Sequence, residues 1–126
     1  MKITVIIVRV LMGLLFIFAS VVVLFNLVPP PPEQPERVRI FMEGVNATGY
    51  LLPLIKITEL VCGIAFVSGR FVALASVVIA PVIVNIFLFH LLVDRSGLPV
   101  AVFLVLANLF VAYANREKYV PLFAAK

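Results

Sequence analysis

Charge is scarce in this sequence. Only 13% of its 126 residues are Asp, Glu, Lys or Arg, against about a quarter in soluble domains. So little polar surface cannot cover a globule, and a fold solvated by water on all sides is excluded. Cysteine is almost missing as well: Cys62 stands alone, which rules out an intrachain disulfide framework and a four-thiolate zinc or iron–sulfur centre. His90 is the single histidine, so the chain cannot offer a haem two axial imidazoles. Haem held by His90 and one of Met1, Met12 or Met42 is not expected, because none of the three is well placed for it. No metal site is expected, no helix carries the paired carboxylate–histidine motif of a di-iron bundle, and no nucleophile, base and orienting group come as a set. Tryptophan is absent. The ten basic residues exceed the six acidic ones, but they are scattered one or two at a time, without the stripe or arm that nucleic acid needs. Nucleic acid is therefore not an expected partner.

What fills the sequence is apolar. Residues of the AVILMFWYC set make up 64% of it and the mean hydropathy is +1.25, so the lipid bilayer is the expected partner and solvent. Four stretches approach the ~20 apolar residues that a spanning helix needs. They cover residues 3–28, 50–67, 71–93 and 98–114. The first is too long for the apolar core of a secretory signal, typically ~7–15 residues, and no small-x-small cleavage site closes it. The expected fold is an all-α membrane protein, one domain over 1–126, with four transmembrane helices in a bundle. Between the first two spans, residues 29–49 open with Pro29-Pro30-Pro31-Pro32, where a helix must stop. Within 36–47, Val38, Phe41, Met42 and Val45 recur at helical spacing opposite Arg37 and Glu43, which predicts either a short amphipathic helix on the membrane surface or a plain loop.

Basic residues in the short flanks set orientation. Lys2, Arg70, Arg116, Lys118 and Lys126 fall on one side, and Arg37, Arg39 and Arg95 on the other. That bias places both termini in the cytoplasm, with the 29–49 loop outward and the 115–126 tail inside.

Ionisable groups within spans cost ~2.5–3.5 kcal/mol each on insertion scales, so each must pair, face the interior or snorkel. They are Arg9, Lys56, Glu59 and His90. Arg9 lies about 10 Å deep from one side and Glu59 about 13 Å from the other, and an arginine reaches about the remaining gap of a ~30 Å core. The expectation is an ion pair joining the first and second spans, with a snorkelling Arg9 as the alternative. Lys56 and Glu59 share a face with Gly63, and Arg9, Gly13 and Ser20 share another, so small residues let backbones approach along polar seams. Pro81 should kink the third span, leaving the Val77 carbonyl without its usual donor. Asn85 and Asn108 are expected near the depth of Glu59, forming a polar midplane layer, and His90 nearer the outer surface, as an interfacial anchor or a ligand.

The string PLIKITELVCGIAFVSGRFVALASVVIAPVIVNIFLFH, residues 53–90, resembles the DoxX family of small bacterial membrane proteins. Phe41-Met42 followed by Ala47-Thr48-Gly49-Tyr50 is similar to that family's lead-in to its second span, and Arg9 and Gly13 match an arginine and glycine of its first. The resemblance implies four spanning helices in the bacterial inner membrane. It also implies a carboxylate in the second span, matched by Glu59, and an NxxxxH end to the third, matched by Asn85 and His90. It implies function only loosely, because the family takes its name from a subunit of a quinol oxidase or thiosulfate:quinone oxidoreductase. Fold kinship does not transfer chemistry.

Three readings of function follow. One is a protein accessory to a quinone-linked respiratory or redox complex, without catalytic activity of its own, that works beside other membrane subunits or its own copies. Quinone would be its ligand, bound through Lys56, Glu59 and His90 in an apolar pocket. The second is a proton-coupled exporter using Glu59 as carrier, although the carboxylate of a small multidrug transporter belongs in the first span. The third is a structural or assembly protein whose polar seam only locks four helices together.

Overall fold

The computed structural model describes residues 2–27 and 34–124. The Pro29–Pro32 run, Val28, Met1 and Lys126 lie outside the described residues. Within them the chain forms five α-helices: α1 (Lys2–Leu24), α2 (Glu36–Ala47), α3 (Leu51–Ser68), α4 (Val72–Leu92) and α5 (Leu98–Ala114). A 3₁₀ turn, Arg95–Gly97, leads into α5, and a 3₁₀ segment, Arg116–Phe123, follows it. Four helices are long and apolar enough to cross a membrane: α1, α3, α4, and α5 together with its leading turn. At ~1.5 Å rise per residue, the 23 residues of α1 reach about 35 Å and the 18 of α3 about 27 Å. The chain is a multi-pass membrane protein. Because four spans return the chain to its starting side, one end of the bundle carries both tails and the other carries α2.

Local chemistry sets the helix ends. α1 stops at Leu24, short of the prolines expected to end it. Asn26 takes a left-handed φ of 52°, and the N–H groups of Asn26 and Leu27 donate to the carbonyls of Val23 (3.3 Å) and Val22 (3.0 Å). That closes a Schellman motif, with asparagine in the place glycine usually takes. The Thr48 hydroxyl donates to the Val45 carbonyl and accepts from the Leu51 N–H, so one side chain closes α2 and opens α3. Gly69, at φ 78°, ends α3. Phe71, also left-handed at φ 58°, starts α4 two residues later. α4 then runs unbroken through Pro81.

The helices pack in a ring. α1 lies against α3 and α5, and α4 lies against the same two. The α1–α3 contact is the most extensive, and its centre is Gly13 against Gly63. Met12, Phe16, Cys62, Phe66, Ala75, Ile79, Ile83, Leu104, Ala107 and Val111 are buried inside the ring. The outer surface is as apolar as the core, with Ile7, Phe18, Leu54, Val61, Leu74 and Leu109 all exposed, as lipid contact requires and water does not tolerate. α2 rests on the loop-side end, chiefly against α3, and Val38 is its buried residue.

Candidate functional site

A cavity of about 390 Å³ opens at the loop-side end between α2, α3 and α4. Helical spacing delivers its lining. On α3, Leu52, Ile55, Lys56 and Glu59 fall at i, i+3, i+4 and i+7, and on α4, Asn85, Ile86, Phe89 and His90 share one stripe. Phe41, Met42 and Val45 of α2 form the roof. Phe41 meets Phe89 at 4.8 Å between ring centroids, an aromatic contact that fastens α2 over α4 as well as α3. Four of the six residues singled out from sequence, Lys56, Glu59, Asn85 and His90, thus line one cavity whose walls are otherwise apolar.

Glu59 is the most deeply buried of them, at 2% exposure. The Lys56 Nζ sits 3.0 Å from its Oε2, one helical turn away on the same face. The approach is close enough for an ion pair, yet it is off the direction of a hydrogen bond, so Oε2 accepts none. Asn85 is exposed at mid-span and lines the same cavity. Its carboxamide donates and accepts no hydrogen bond among the described residues, which leaves it a polar group at the rim of an apolar hollow. His90 is held from behind. Its Nδ1 is 3.1 Å from the Asp94 carbonyl, and a carbonyl only accepts, so Nδ1 carries a proton and Nε2 of the neutral ring is the acceptor. Gly97 makes room for this, because the imidazole occupies the space in which a Cβ on Gly97 would stand. Asp94 in turn accepts from the Ser96 hydroxyl (2.8 Å) and N–H (3.1 Å). Those two hydrogen bonds hold its carboxyl below the ordinary carboxylate range.

Two expectations need correction. Arg9 and Glu59 do not pair. Glu59 is taken by Lys56, while the guanidinium of Arg9 lies against Gly69 at the tail-side end of α3. Arg9 snorkels, since a long side chain reaches the interface more cheaply than it crosses a packed bundle. The polar midplane layer does not form either. Asn108 is buried against α4 elsewhere, with Nδ2 donating to the Ser76 carbonyl at 3.3 Å and Oδ1 unpaired. Ser76 is nine residues from Asn85, about 13 Å along the helix. Depth counting measured each residue from the end of its own span, so it fixed neither the offset between neighbouring spans nor the face of the helix that a residue occupies. The buried hydroxyls of Ser20 and Ser76 turn back to carbonyls four residues earlier in their own helices, Phe16 and Val72, and join no seam. Sequence reasoning also missed Phe89. Its spacing from Asn85 and His90 was visible, but its partner Phe41 was not.

A cavity of this kind can hold the polar head of an otherwise apolar molecule. Lys56, Asn85 and the His90 ring offer donors or acceptors, Glu59 balances the ammonium, and the rest of the lining is apolar.

A family model described as DoxX matches residues 4–95, well over half of the chain and inclusive of every residue lining this cavity. No curated protein and no solved structure matches.

Proposed function

The chain belongs to the DoxX family, and on that premise we propose that it is an inner-membrane protein accessory to a quinone-linked redox complex. A quinone headgroup is held between α2, α3 and α4. The supporting observation is the convergence of Lys56, Glu59, Asn85 and His90 on one apolar cavity. Quinone carbonyls need donors within greasy walls, and the Lys56 ammonium and Asn85 amide supply them. The group would bring two-electron redox chemistry when bound. The protein's own residues bind and orient it: Lys56 places positive charge beside a carbonyl oxygen, and the hydrogen bond from Nδ1 to Asp94 fixes the tautomer that His90 presents. The basic-residue bias argues for cytoplasmic termini in a bacterial inner membrane, which puts this cavity toward the outer face.

A photoreactive quinone analogue with native mass spectrometry on mildly purified protein tests the reading. Retained quinone and crosslinks to α3 and α4, both weakened in Asn85→Leu and His90→Ala, are expected. Crosslinks that ignore these variants, or no quinone at all, would refute it. The burial of Glu59 favours one other function, proton-coupled transport, which would instead appear as proton-dependent flux abolished by Glu59→Gln.

A further inference from the structure

The tail-side end of the bundle holds a second cavity, of about 560 Å³, and its charge is unbalanced. Lys2 and Arg9 of α1 line it, together with Arg116 and Lys118 of the 3₁₀ tail, and among the described residues no carboxylate does. The ion pairs among the described residues are Arg39 with Glu43 and Lys56 with Glu59, both at other places. Glu117 stands between the two tail cations in sequence and is paired with neither. Arg116 is partly engaged, with its guanidinium 4.5 Å over the Tyr113 ring and Nη1 donating to that residue's carbonyl. Arg9 Nε is buried without a hydrogen-bond partner. Four cations around one hollow repel each other, and a buried donor left unpaired is costly. An anion relieves both.

The fold holds the cluster in position. A Cβ on Gly69 would stand 3.2 Å from both terminal nitrogens of Arg9, so the absence of a side chain there seats the guanidinium. The Tyr119 hydroxyl donates to the Ala73 carbonyl at 3.0 Å, tying the 3₁₀ tail to the start of α4 and keeping Arg116 and Lys118 at the mouth. The planar fork of an arginine matches phosphate oxygens, and basic pockets between membrane helices at the interface suit anionic headgroups.

We propose that this cavity binds the phosphate of an anionic lipid headgroup, with Arg9 as the inner fork and Lys2, Arg116 and Lys118 around the outer oxygens. A lipid is favoured over free phosphate because Val5 and Ile6 continue the same lining as an apolar face, with Ile6 exposed where an acyl chain would run. The site is independent of the quinone cavity, at the opposite end of the bundle.

The test uses the full chain in mixed micelles of phosphatidylcholine with increasing phosphatidylglycerol, read by native mass spectrometry and by thermal unfolding. A parallel series uses phosphatidylcholine with inorganic phosphate. The wild type is expected to retain phosphatidylglycerol at least ten-fold over phosphatidylcholine. Lys2→Gln with Lys118→Gln, at two exposed positions that leave the packing intact, is expected to cut that preference by roughly five-fold in all. Arg9→Gln should remove most of it, Arg9→Lys only part, and Arg37→Gln with Arg39→Gln at the other end none. Absence of a preference in the wild type, or an unchanged preference in the Lys2/Lys118 variant, overturns the site. Stabilisation by inorganic phosphate without any lipid preference overturns the lipid as its source.

Discussion

Gly13 and Gly63 touch backbone to backbone: the carbonyl oxygen of each lies 2.8 Å from the point where a Cβ on the other would stand. Helices in lipid gain little from hydrophobic burial against one another, so close approach of this kind is a main source of their attraction. Ile17 closes the remaining space, its Cγ1 2.9 Å from the Gly63 Cβ position.

Gly13→Ala and Gly63→Ala should therefore each destabilise the bundle, by ~1–3 kcal/mol, because the obstructing atom is backbone and cannot swing aside. Thermal unfolding in detergent measures it. Gly44→Ala on α2, where a Cβ meets nothing within 4 Å, is the control and should be neutral or stabilising by up to ~1 kcal/mol. Equal effects at all three positions would mean that the α1–α3 contact is looser than described.

Lys56 and Glu59 should behave as one unit. Removing either charge strands the other, at a cost of ~3–5 kcal/mol for a buried pair, while Lys56→Met with Glu59→Leu should lose much less than the sum. Arg9→Leu with Glu59→Leu should be additive within ~0.5 kcal/mol, since the two share no partner. A strong coupling between Arg9 and Glu59 would contradict the pairing seen here.

Asn108 offers a counterintuitive substitution. It makes one hydrogen bond to a carbonyl already in a helix, and its Oδ1 is buried unpaired. Asn108→Leu should be neutral or stabilise by up to ~1 kcal/mol, because it removes an unsatisfied acceptor together with its weak bond. A loss above ~2 kcal/mol in chemical denaturation would show that Oδ1 has a partner in the membrane.

Asp94 gives the protein a pH dependence of known sign. Its two bonds from Ser96 hold its pKa below the ordinary value in the folded state, so the unfolded chain binds its proton more readily. The stabilisation is complete above the ordinary carboxylate range and is lost as pH falls through the lowered value. Asp94→Ala should lower Tm at neutral pH, and the gap to wild type should close in acid. A gap that persists unchanged at low pH would assign the effect to something other than the carboxylate.

Periodicity and punctuation carried most of the architecture. The apolar runs at 50–67, 71–93 and 98–114 differ from the observed helices by a residue or so at each end, and of the two readings left open for 36–47, a surface helix or a plain loop, the helical spacing of Val38, Phe41, Met42 and Val45 pointed to the one observed. The end of α1 was misplaced because four prolines overshadowed Asn26, whose left-handed geometry depends on hydrogen bonds a sequence does not display. Lys56 with Glu59 was readable from their i, i+3 spacing alone. The Arg9 partner was not, since pairing across helices depends on rotation about each axis, and depth alone does not fix rotation. The basic tail-side cavity was hidden for a similar reason: Lys2 and Lys118 are neighbours only after four spans have brought the ends together.

Asn85 is exposed on the flank of α4 and lines the cavity, so the cavity at the loop-side end also reaches the lipid-facing side of the bundle, which changes what concentration means for this protein. A molecule entering there arrives from the bilayer by diffusion in two dimensions, having already left water. Occupancy then follows its mole fraction in lipid, so a weakly soluble ligand with a modest intrinsic affinity can saturate the cavity while remaining scarcely detectable in the surrounding buffer.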